Sequence, residues 1–294
     1  MQKLEALPVD LPWSMQASLI LDGVSLPNLP HKLYEWSPHP QFEPLYLGTD
    51  HEALLDLSPC LVRLTGRSDP VLDHYLEHAK EECGFLLFSR APWQEQVQHM
   101  RWLSRVQAPY GEEMLLRLAD PAVFHALLAQ PSTEANAGLL GPFECAVLPD
   151  ALEEAWYEHR RPPEQWAPQN SPYRLSDEQL TRLGEVNFRS VIGKLDLHMQ
   201  AQYPAYGSNW DRANRRAHLT GLAEDAYEKG FCSEEDIFLY ANIFGLLGSK
   251  ALEAHPDIAH LLEQRSTDTP SQRLHKAVAM AQGRASTLVR KPHV

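Results

Sequence analysis

Residues 71–88, VLDHYLEHAKEECGFLLF, pass from one periodicity to another. Leu72, Tyr75, Leu76, Ala79 and Cys83 recur at helical spacing. Gly84-Phe85-Leu86-Leu87-Phe88 is then apolar without interruption, the pattern of a strand covered on both faces. The same alternation extends in both directions. Upstream, Ala17-Ser18-Leu19-Ile20-Leu21 runs into Asp22-Gly23 as a strand ending in a turn, and Pro44–Leu47 and Cys60–Leu64 read as two more strands. Downstream, Trp93, Val97, Met100, Leu103 and Val106 mark one face of a helix, and Met114–Leu118 reads as a strand. Asp120-Pro121 supplies a helix N-cap followed by the residue best suited to the first helical position, and Phe143–Leu148 is a last strand after Gly141-Pro142. Strand–helix alternation implies parallel pairs, while the opening strands lack long intervening helices. The reading is therefore an α/β lobe, a mixed sheet flanked by helices.

The second half changes character. Pro162, Pro163, Pro168 and Pro172 crowd a segment that no regular element accommodates. Beyond it the pattern is helical throughout. Ser176 with Gln179 forms a capping box, Gly230 stops a second helix, Ser233 opens a third, and Thr269 with Gln272 caps another. The expected organisation is an α/β domain over residues 1–157, a proline-rich linker over 158–175, an all-α lobe over 176–283 and a frayed basic tail over 284–294.

Composition bounds the function. The 294 residues carry 26 Lys+Arg against 39 Asp+Glu, a net charge of -13. This argues against nucleic acid as the main partner and against a polybasic membrane-surface binder, both of which need clustered cations. The longest uncharged apolar stretch, Ile237–Ser249, is too short to span a bilayer, and Glu5 interrupts any secretory leader. The expected location is the cytoplasm. Cys60, Cys83, Cys145 and Cys232 lie far apart without a paired motif, as reduced and mostly buried thiols do.

Catalytic signatures are sparse. His74-Tyr75-Leu76-Glu77-His78 matches H-x-x-E-H, in which two imidazoles four residues apart share a helix face and clamp zinc beside a general base. The phase of this helix sets His74 and His78 nearly opposite its apolar stripe, so the segment reads as a solvated polar face, with no metal and no cofactor expected. No nucleophile elbow, Walker loop or dinucleotide fingerprint occurs. Binding candidates are clearer. Trp156, Tyr157, Arg160, Arg161 and Trp166 flank the proline-rich segment and combine the residue types that interfaces favour, against the plainer reading that the aromatics pin the linker between the two lobes. Arg212, Arg215 and Arg216 form a basic cluster suited to an acidic partner, against the plainer reading of a solvated helix face. Arg117, inside an apolar strand, needs a carboxylate or carbonyl partner, and with the Asp120 cap it reads as architectural.

Residues 17–150 resemble a family of uncharacterised domains found in bacterial type VI secretion gene clusters. The resemblance rests on an ordered series of blocks: Leu19–Gly23, Phe42–Tyr46, Ser58–Val62, His99–Leu103, Leu116–Pro121 with its Arg117, Asp120 and Pro121, and finally Gly141-Pro142. The chain departs from the family pattern at Leu118-Ala119, where an aromatic is usual, and at Cys60, where Tyr is favoured. The resemblance implies a non-enzymatic adaptor or chaperone. Such a protein binds a secreted effector in the cytoplasm and helps load it onto the valine-glycine repeat spike protein. The alternatives are a zinc hydrolase built on His74, Glu77 and His78, and an immunity-type protein that neutralises a toxin.

Overall fold

The computed structural model describes residue 4 and residues 6–129, 133–162, 166, 171–264 and 267–289. The chain divides into two compact units, residues 1–186 and 187–294. The first contains β1 (Gln16–Leu21), α1 (Leu29–Trp36), β2 (Gln41–Pro44), β3 (Cys60–Arg63), α2 (Pro70–Glu77) and β4 (Gly84–Ser89). These are followed by α3 (Trp93–Leu103), β5 (Arg105–Gln107), β6 (Glu113–Leu115), α4 (Pro121–Leu128) and α5 (Thr133–Leu140). The unit is completed by β7 (Cys145–Asp150), β8 (Ala155–Arg160), β9 (Tyr173–Arg174) and the start of α6 (Asp177–Gln202). The fold class is as expected: a sheet-and-helix N-terminal region followed by an all-helical one.

Six strands form one sheet in the order β2-β3-β1-β4-β7-β8. Every pair in it is antiparallel, with Ile20 opposite both Leu61 and Phe85 and with Leu87 opposite Ala146. Parallel pairing occurs between β5 and β9, in a separate three-stranded sheet β6-β5-β9. The continuous apolar runs follow from coverage of both faces. Leu19, Leu21, Val62, Leu86, Phe88 and Val147 pack with Leu29 and Leu33 of α1 and with Val71, Leu72 and Tyr75 of α2. Their neighbours Ile20, Leu61, Phe85, Leu87, Ala146 and Leu148 face the other way, onto Val97, Met100 and Leu103 of α3 and Phe124 and Leu127 of α4. Alternation of side chains along a strand thus feeds two separate cores.

Two strand expectations shift. β2 ends at Pro44, and Leu45 and Tyr46 enter a turn in which the Tyr46 N–H donates to Ser58 Oγ. β6 ends at Leu115. The Leu116 N–H then donates to Ser104 O, the Leu118 N–H to Leu116 O and the Asp120 N–H to Arg117 O, so the chain turns through Arg117. The capping signals are realised. Asp120 accepts from the N–H groups of Ala122 and Val123, and Ser176 and Gln179 exchange reciprocal bonds of 3.0 and 3.1 Å. Cys60, Cys83 and Cys145 are buried, and burial pushes their thiols up to about 12, 11 and 12.

The second unit comprises the rest of α6 with α7 (Arg212–Glu228), α8 (Glu234–Leu247), α9 (Ala251–Ala254), α10 (Pro256–Glu263) and α11 (Pro270–Val289). Helix α8 is its hub: Ile237, Tyr240, Ala241, Ile243 and Phe244 are all buried. Buried Arg273 of α11 donates to the carbonyls of Leu262 and Gln264 at 2.7 Å each, satisfying the C-terminal end of α10. Helix α11 continues past Gly283, where the sequence suggested fraying; residues 290–294 lie outside the described residues.

Gly141 has a specific cause. Its φ is +55°, and a Cβ there would lie 2.2 Å from Cε1 of His99, whose buried ring packs against this turn. His99 Nε2 donates to Leu139 O at 2.9 Å, and Ser89 Oγ bonds Pro142 O at 2.6 Å, so the Gly-Pro pair seats α5 against α3 and β4. Gly141→Ala is expected to lower unfolding stability by about 2 kcal/mol or more in urea denaturation, because strain and overlap add. Burial also holds the His99 imidazole down at about 4, against the opposing pull of its bond to Leu139. His159 lies at about 4 as well, through burial and then the charge of His125. Both folded values fall below the ordinary 6.5, so the unfolded chain binds more protons between them. Stability present above pH 6.5 is therefore lost on acidification. By pH 5, still above the ordinary carboxylate range, His99 accounts for about 2 kcal/mol, measurable as a lower urea midpoint than at pH 7.5.

Candidate functional site

Asp22 closes β1 as a buried carboxylate. It accepts from the N–H groups of Val24 and Ser25 and from Ser25 Oγ, a turn in which the carboxylate replaces a backbone acceptor. Gly23 is required beside it, because a Cβ there would lie 2.3 Å from Ser58 O. Into this turn, from 95 residues downstream, Arg117 donates through Nη2 to Asp22 Oδ2 at 2.7 Å and to Ser25 Oγ at 2.9 Å. Its Nη1 lies 3.6 Å from Asp120, the cap of α4. Burial pushes the Asp120 carboxyl up from its ordinary value, outweighing Arg117 and the two backbone N–H groups it accepts from.

The Arg117 side chain is nonetheless 46% exposed. The expectation of an arginine inside a strand is corrected: the chain has left β6, and the guanidinium lies over the turn with one edge in solvent. In sequence, Val24 follows the Asp22–Gly23 turn and Leu115 precedes Arg117 by two residues, and the Leu57 carbonyl approaches Gly23. All three are exposed aliphatics. An arginine held beforehand at a partly exposed position suits contact with another protein, because it loses little side-chain entropy on binding. No nucleophile–base pair accompanies it among the described residues.

The other sequence candidates are dispersed. Trp156 on β8 is buried in a sheet core rather than on a surface, 6.4 Å from the Tyr75 ring. Tyr157 stacks at 4.3 Å on His125 of α4, and His125 Nδ1 lies 2.9 Å from His159 Nε2. Arg160 is exposed and pairs with Glu158 at 2.5 Å, while half-buried Arg161 donates its N–H to Glu144 O. Trp166 meets the His99 ring edge-on at 5.6 Å. In the second unit Arg215 is committed to Asp196 and to Tyr206 O, whereas Arg212 and Arg216 lie on the exposed side of α7.

His74 and His78 do not lie on an open polar face. Both are half-buried, at the wall of a cavity of about 340 Å³, with Trp36 of α1 stacked on His74 at 4.1 Å. Helical phase locates a residue relative to its own helix, but α1 packs against α2 and covers this flank. Glu77 is exposed, and the ligand atoms of His74, Glu77 and His78 lie within 4.8 Å of one another.

A second cavity of about 480 Å³, lined by His51, Arg101, Trp102 and Arg105, escaped the sequence reading. Nothing local marks it, because Arg105 reaches Asp50 at 3.0 Å only through the tertiary fold.

Comparison with known proteins follows this geometry. A family profile described as "Domain of unknown function (DUF4123)" matches residues 17–137, which contain Asp22, Arg117 and Asp120. Over 273 residues the chain is 32% identical to a protein named Accessory protein VasW from Vibrio cholerae serotype O1 (strain ATCC 39315 / El Tor Inaba N16961). The match covers 90% of this chain and 86% of the relative. No solved structure matches the chain.

The two ends of the central ion pair are unequal. Arg117→Ala leaves Asp22 with its three turn donors and is expected to cost about 1 kcal/mol, since the arginine is well exposed. Asp22→Ala strands those donors and the arginine, and is expected to cost about 2–3 kcal/mol. Urea denaturation of the two variants checks the order.

Proposed function

Because this chain belongs to the DUF4123 family, and matches an accessory protein over both of its units, we propose that it is a non-enzymatic adaptor of type VI secretion. In this reading it binds an effector in the cytoplasm and helps load it onto the valine-glycine repeat spike protein. The observation that carries the proposal is the length of the match, since 90% of the chain aligns with a protein named for an accessory role. An adaptor that shares only a domain with its relatives would align over that domain alone.

The site geometry supports the same reading. Its best-organised exposed group is Arg117, held by Asp22 and Ser25 rather than aimed at a reacting centre. Held this way, it suits contact with another protein. No helix among the described residues is long and apolar enough to cross a membrane, which is compatible with work in the cytoplasm.

Co-expression of this chain with the effector and spike proteins of its own bacterium tests the proposal. The expected outcome is a complex of all three on size-exclusion chromatography, together with loss of effector secretion when the chain is deleted. An immunity protein would instead bind the toxin alone and abolish its activity, and that result would replace the proposal.

A further inference from the structure

We infer that the turn from His74 to His78 binds one divalent transition-metal ion of the zinc class, through the imidazoles of His74 and His78 and the carboxylate of Glu77. The inference stands apart from the adaptor reading, and neither depends on the other.

Three observations carry it. The first is proximity: residues at positions i, i+3 and i+4 of one turn bring two nitrogens and a carboxylate oxygen within 4.8 Å of one another. Bonds of about 2.0–2.2 Å in a tetrahedron set donors about 3.3 Å apart, so side-chain rotation, led by exposed Glu77, closes the set without moving the backbone. The second is orientation. Trp36 stacks on His74 at 4.1 Å and 22°, and His74 stacks on His78 at 4.4 Å and 27°, which sets both rings side by side on one flank; a metal lies in the plane of each ring it joins, so the His74–His78 stack opens on binding. His78 Nδ1 lies 2.9 Å from His74 O. A carbonyl accepts, so Nδ1 carries the proton and Nε2 keeps its lone pair for a metal. Metal-bound histidines are ordinarily oriented by just such a bond from the other ring nitrogen.

The third observation is charge. The cavity that both histidines line, about 340 Å³, carries Glu35 and Glu81 against Lys32, and Glu77 adds a third acid within 4.8 Å of the histidine nitrogens. A dication offsets that excess. Two imidazoles and one carboxylate suit zinc, nickel or copper, whereas magnesium and calcium require oxygen-rich sets. Cys83 also lines the cavity, but the ligand atoms that converge are those of His74, Glu77 and His78. With Glu77 spent as a ligand, the turn holds no general base, and the ion's role is to brace the C-terminal turn of α2.

Calorimetric titration of the untagged full chain with zinc chloride at pH 7.5 tests the inference. One ion per chain is expected, with a dissociation constant of about 1–10 µM. His74→Ala and His78→Ala should each weaken binding at least tenfold, while His275→Ala, in the second unit, leaves it unchanged. Glu77→Gln lies on the exposed side of the turn; if a histidine variant fails to fold by circular dichroism, this substitution carries the test and should also weaken binding. Absence of binding below about 100 µM, or binding that survives both histidine substitutions, overturns the inference.

Discussion

The central strands β1, β4 and β7 are buried on both faces, and the N-terminal unit is organised around that constraint. A sheet apolar on one side needs a single layer of cover, whereas this one needs two. Helices α1 and α2 supply one layer and α3 and α4 the other. In the order β2-β3-β1-β4-β7-β8 neighbouring strands are antiparallel, while the connections β1–α1–β2 and β3–α2–β4 each cross over one strand to reach a strand running the same way, and both lay their helix on the same face. Glycines mark the tightest approaches: Gly84 brings β4 against the Ile20 carbonyl, and Gly141 admits the His99 ring.

At the end of β1 the same constraint creates a polar problem. Asp22 is buried where a strand stops, and a buried carboxylate is tolerable only with a full set of donors. The turn through Ser25 supplies three of them and Arg117 a fourth. That arrangement links β1, the segment after β6 and the cap of α4 through side chains 95 residues apart in sequence. It also leaves a guanidinium held partly exposed at the surface, which is how an architectural pair comes to present a polar group to solvent.

Membership of the DUF4123 family, and a full-length relationship to an accessory protein, suit a molecule whose polar side chains mostly serve architecture. Asp120 and Ser176 cap helices, Arg273 closes a helix end, and Tyr240 bonds Asp225 within the helical unit. The His74–His78 turn differs, because its imidazoles stack on Trp36 and on each other at the wall of a cavity, and His78 Nδ1 bonds the His74 carbonyl.

The sequence by itself determined the caps and many of the elements, since these depend on neighbours within a turn or a strand, although α1 and β8 went unread. The run Gly84–Phe88 announced a doubly covered strand, Asp120-Pro121 a helix start, and Ser176 with Gln179 a capping box. The ordered blocks from Leu19 to Pro142 identified the family. Tertiary structure alone decided what those elements meet. Periodicity is blind to strand direction, so it suggested parallel pairs where antiparallel ones fill the main sheet. Trp156 looked like a contact residue until β8 carried it into a core, and His74 looked solvated until α1 covered its flank. The partner of Arg117 was legible as a requirement but not as Asp22, because a charge pair across 95 residues leaves no local periodicity to read.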